Sequence, residues 1–186
     1  MHVSKGQGIN KLTPISYKEI HYFAGMKAAS VKEIKSALET IPPNQLMEVC
    51  LRLIKFKKEN KELATYLLFD ESDELGYVNN VKANLDSLFE EVNKTNLYFA
   101  KKTLRKIVRT TAKFIRYSGL PTTEVELLLH VAEKIADLHL PLHRNVALHN
   151  IFLGVIKKIN RAVEGLHEDL QYDYLRQLEV IEDTPL

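Results

Sequence analysis

Eight basic residues and no acidic one lie between positions 93 and 123: Lys94, Lys101, Lys102, Arg105, Lys106, Arg109, Lys113 and Arg116. Five of these, Lys102, Lys106, Arg109, Lys113 and Arg116, recur at spacings of 4, 3, 4 and 3. At about 100° per residue such a series falls on one line along a helix. Leu97, Ala100, Leu104, Ile107, Thr111 and Phe114 recur at 3, 4, 3, 4 and 3 and fall on the opposite side. One helix therefore packs through an apolar seam and carries a positive ridge. Like charges four residues apart on a helix are mildly destabilising, so the ridge is either offset by an acidic partner or simply solvated. One chemistry is capture of a polyanion such as nucleic-acid phosphates, a phosphorylated partner or an acidic protein surface. The other is pairing within the chain: residues 70–91 and 164–183 each hold seven acids against one base, a net of −6 apiece. The whole-chain charge of only +2 favours internal pairing, and Phe114 and Tyr117 read as core or boundary residues, not as stacking platforms.

Four histidines lie close together at positions 130, 139, 143 and 149. His139 and His143 have the i,i+4 spacing of a helical metal pair, but Pro141 stands between them and no H-E-x-x-H pattern is completed. Exposed or helix-capping histidines, with no metal, are the expected reading. The sequence contains no glycine-rich phosphate loop, no G-x-S-x-G elbow and no cysteine pair. Its adjacent carboxylates, Glu90-Glu91 and Glu168-Asp169, do not face each other on a helix. No residue is nominated as catalytic and no cofactor is implied.

The elements that must carry these residues are helices. Ser30-Val31-Lys32-Glu33 is a capping box, opening a helix that should stop before Pro42-Pro43. A second helix opens near Asn44 and places Leu46, Val49, Leu53 and Phe56 on one face, and a third covers Lys58–Phe69. After the acidic turn at residues 70–74 a helix runs to Glu91. The ridge helix follows over Asn96–Ser118, with Gly119 at its C′ position. Thr123-Glu124-Val125-Glu126 reads as another capping box for a helix to Leu138. Two more helices cover Asn145–Gly165 and Glu168–Ile181. On the last, Tyr172 and Tyr174 point in different directions, so one is expected in the core and the other outside. No segment alternates as a strand does. The expectation is an all-α fold of about seven or eight helices in antiparallel hairpins, either an irregular bundle or a short HEAT-like stack. No internal repeat supports the stack.

The bulk numbers agree with a water-exposed chain. Of 186 residues, 45% are hydrophobic and 27% charged. No apolar run reaches the roughly 18 residues that a membrane span needs. The N-terminal stretch lacks the apolar core of a secretory signal. The single cysteine, Cys50, sits in LMEVCLRLI and is expected to be buried as a small hydrophobe in a cytoplasmic protein. Residues 1–25 hold three of the seven glycines and no sustained period. They read either as an extension upstream of a natural start at Met26 or as an N-terminus with one short helix near Ser16–Phe23. A single domain over residues 26–186 then follows.

From Met26 onward, SVKEIKSALETIPPNQLMEVCLRLIKFKKENKELATYLLF resembles the opening of small uncharacterised bacterial all-helical proteins, a domain of unknown function. The matching features are a short capped helix, a Pro- or polar-led second helix and a Lys-rich turn before a third that ends in aromatics. The AKKTLRKIVR run is compatible with the pattern. The resemblance implies a helical fold and no activity. Two functions remain in view: a non-catalytic helical module that binds another protein, and nucleic-acid or other polyanion binding through the basic face at residues 96–118. Oligomeric state is not legible.

Overall fold

The computed structural model describes residues 28–183, the side chain of His143 excepted. The expected upstream extension at residues 1–25, the start at Met26 and the short helix near Ser16–Phe23 lie outside the described residues. The fold is all-α, with eight α-helices and no strand among the described residues. None of these helices is long and apolar enough to cross a membrane. The chain divides into two units, with the boundary between Val49 and Cys50.

The first unit holds α1 (Val31–Thr40) and the opening of α2 (Pro43–Phe56). Ser30 caps α1 as its sequence requires. Its hydroxyl accepts from the Glu33 backbone N–H at 3.3 Å, and its own N–H donates to the Glu33 carboxylate at 2.7 Å. Ile41 is extended, as a residue before proline prefers. No residue of α1 or α2 is buried. Cys50 is accordingly exposed, which corrects the expectation of burial. Apolar neighbours along one helix report its amphipathic face and not what covers it.

In the second unit, α3 (Lys58–Thr65) widens into one π-helical turn, Tyr66–Asp70, in which Tyr66 is buried. Helices α4 (Glu74–Glu90), α5 (Leu97–Ser118), α6 (Pro121–Asp137), α7 (Val146–Val163) and α8 (Glu168–Glu182) follow, with a 3-10 turn at Leu142–Arg144 before α7. Helix α6 packs against α4, α5, α7 and α8. Val125, Leu127, Val131 and Ile135 of α6 are buried against Val81 and Leu85 of α4, Leu104 and Ile107 of α5, and Leu148, Phe152, Val155 and Ile159 of α7 in one core. On α8, Leu178 and Ile181 join it, Tyr174 packs on its edge and Tyr172 stays exposed.

The second capping box is not formed. Helix α6 begins three residues earlier, at Pro121, whose fixed φ suits a first helical position. Thr123 is instead buried, and its hydroxyl donates to Glu74 of α4. The same carboxylate accepts from Ser118 at the end of α5 and from the Tyr66 hydroxyl. Glu74 thus ties together four elements at one end of the unit. Gly119 ends α5 at φ 69°, the left-handed conformation that glycine adopts without penalty.

Candidate functional site

Asn96 starts α5 by accepting from the backbone N–H groups of Tyr98 and Phe99. That cap marks where the helix starts. Ala100, Leu104, Ile107 and Thr111 are buried, and Leu97 and Phe114 are half-buried against the core, so the apolar seam lies where its spacing put it.

The basic ridge does not behave as one unit. Lys106 meets Glu91 at 3.3 Å, an exposed pair across the α4–α5 turn. Lys113 bonds Glu62 of α3, with Tyr117 donating to the same carboxylate at 2.9 Å. Of the two acidic segments at residues 70–91 and 164–183, the first therefore supplies one ridge partner. The second lies largely on α8, which packs on α6 and α7. Glu62 belongs to neither.

The Glu62 cluster has a pH signature. Burial raises the carboxyl, but hydrogen bonds from Lys113 and Tyr117 and the charges of Lys113 and Lys58 outweigh it and hold the group below the usual range. Burial and the bond to Glu62 push the Tyr117 hydroxyl well up. A depressed folded value gives stability that is present above the unfolded pKa of about 4.3 and lost as pH falls through the folded value. Glu62→Gln should therefore cost about 1 kcal/mol at neutral pH. The gap to the parent protein should close in acid, which urea unfolding at neutral pH and at about pH 3 would measure.

The other half of the basic segment has a different setting. Between α5 and α7 lies a groove of about 590 Å³. Helix α5 contributes Tyr98, Lys101, Lys102, Arg105, Val108 and Arg109, and α7 contributes Asn150, Ile151, Gly154 and Lys158. Five cations surround it and no carboxylate lines it. None of the five has an ion-pair partner among the described residues. Arg109 lies back along its own helix, its Nε donating to the Arg105 carbonyl at 3.3 Å. Lys101 Nζ sits 5.6 Å from the centre of the Tyr98 ring. Tyr98 is 66% exposed and makes an edge-to-face contact with Phe99, 5.4 Å between centres. At about 1.5 Å per residue, the stretches Lys101–Arg109 and Asn150–Lys158 each run roughly 12 Å. The charges are thus spread along a channel and do not converge on one point.

Gly154 stands in the interior of α7, where glycine is less favourable than alanine by about 1 kcal/mol. A Cβ built there meets no atom within 4 Å, so packing does not require the glycine. Its effect is to leave the wall of the groove open. Gly154→Ala is expected to raise stability by about 0.5–1 kcal/mol in thermal or urea unfolding.

Among the expected site residues, the structure brings Lys102 and Arg109 to the groove and leaves Lys106, Lys113 and Arg116 outside it. Lys101, Arg105 and Lys158 take the places beside them. His139 is exposed with φ 51°, between the end of α6 and the 3-10 turn that holds residue 143, so no continuous helix joins the two positions. The His143 side chain lies outside the described residues. Among those described, no three His, Cys, Asp or Glu side chains form a group that could hold a metal ion. His167 caps α8, and His130 bonds Asp86 of α4 at 2.8 Å with Lys134 on the same oxygen at 3.3 Å, a tie between α4 and α6.

No protein-family model, curated protein or solved structure matches the chain.

Proposed function

We propose that this protein is a non-catalytic binding module that holds an extended polyanion in the groove between α5 and α7. The observation that carries this reading is five cations around one groove with no carboxylate in its lining. Lys101 and Arg105, and Arg105 and Arg109, are like-charged i,i+4 pairs, each destabilising an exposed helix by a few tenths of a kcal/mol. A bound anion would offset that repulsion. We place the activity in the cytoplasm, where a lone exposed thiol such as Cys50 stays reduced.

The test is binding of labelled inorganic polyphosphate at rising salt. Neutralising five phosphates on a single chain gives a slope of log K against log salt of about −3.5. No binding at low salt, or binding indifferent to salt, would contradict the reading.

A protein partner on the part of α2 that belongs to the second unit is the second reading, favoured by Leu53 and Phe56, each more than half exposed. It predicts a self-associated or partner-bound species in light scattering that Phe56→Asp dissolves. A lone monomer with no partner and no response to that change counts against it.

A further inference from the structure

We infer that the polyanion is a single-stranded nucleic acid, bound with a base stacked on Tyr98 and its backbone laid along the cations of α5. The inference rests on the anion-binding reading of the groove and adds the ligand's class. Three features ask for more than charge. Tyr98 presents an aromatic ring beside the cations, two-thirds exposed and braced edge-on by Phe99. A base has a π-face for such a ring, whatever its identity. Val108 and Ile151 give the groove apolar surface between the charges, which a bare polyphosphate or a run of carboxylates does not use. Gly154 keeps the α7 wall free of side chain where it is not needed for packing, so a flat group can approach the helix backbone.

The length agrees. A channel of roughly 12 Å spans about four phosphates at the 3.4 Å rise of a stacked strand. That is the lower end of the site size of grooves that bind single strands without sequence preference. A duplex keeps its bases stacked on one another and offers Tyr98 no face. Asn150 is the uncharged donor and acceptor in the lining and can reach a sugar or base edge without selecting a sequence.

The full chain is titrated by fluorescence anisotropy with labelled single-stranded DNA and RNA of about twelve nucleotides, the corresponding duplex, polyphosphate and polyglutamate. Either single strand is expected to bind about tenfold more tightly than the duplex. Tyr98→Ala should weaken single-strand binding about tenfold more than it weakens polyphosphate binding, which corresponds to roughly 1.4 kcal/mol of stacking. Tyr98→Phe should restore it. Equal losses for both ligands, no loss for either, or duplex binding as tight as single strand overturns the inference and leaves the anion groove standing. Polyglutamate displacing the single strand at equal charge overturns it in favour of an acidic protein partner. No binding of any of these anions removes the groove reading itself.

Discussion

Replacing Lys102 and Arg105 together by glutamate is expected to weaken polyphosphate binding by about a hundredfold at moderate salt. Each cation at contact distance attracts a phosphate by about 1 kcal/mol at the dielectric of water, and a glutamate there repels it by as much. Two such reversals amount to roughly 4 kcal/mol before screening. Mobile ions at moderate salt remove a large part of an exposed interaction, leaving about 2–3 kcal/mol, or about two powers of ten. The salt slope should fall by about 1.4, since two counterion-releasing contacts are gone. Both side chains are exposed on α5, so the variant should unfold at close to the parent denaturant concentration. Stability and binding are thereby separated in one protein.

Leu104→Ala should do the reverse. Leu104 is fully buried on the apolar seam of α5, in the core shared with α4, α6 and α7. Truncating a leucine there removes transfer free energy and leaves a cavity that the packed helices cannot fill, at a cost of about 3 kcal/mol. The loss should appear as a lower urea midpoint with an unchanged slope. The folded fraction should still bind polyphosphate with near-parent affinity, because no groove side chain has been altered. A loss of affinity parallel to the loss of stability would mean that the groove is not a preformed surface of the folded unit.

The amphipathic division of α5 is legible from spacing alone, because helical periodicity sets which residues share a face. The same holds for its ends, where Asn96 and Gly119 carry local cap chemistry. The Thr123 box was misleading for a physical reason. Its pattern is local, but Pro121 starts the helix earlier and Glu74, distant in sequence, offers the buried hydroxyl a partner. The charge count of the acidic segments could not say which cations they would reach, and Glu62 lies outside both. Within the ridge, periodicity places Lys102, Lys106 and Arg109 together. Which of them borders a groove depends on where α7 packs, and that is a tertiary fact. Lys158 and Gly154 come from α7 itself, and no local signal joins them to α5. Tyr98 had a signal that could have been used: an aromatic in the first turn of a helix with bases three, four and seven residues on. Cys50 shows the opposite limit, since apolar neighbours could not report that α2 would bury nothing.

On the proposed reading the cations of the groove, and not basic charge in general, bind the anion. Arg105→Gln and Lys106→Gln remove one charge each from adjacent positions on the same helix. Arg105 borders the groove, whereas Lys106 is paired with Glu91 outside it. Side-by-side polyphosphate titrations of the two variants separate a groove cation from a paired one. Arg105→Gln should lower affinity several-fold and reduce the salt slope by about 0.7, while Lys106→Gln should leave both near the parent values. Equal losses in the two variants would contradict it.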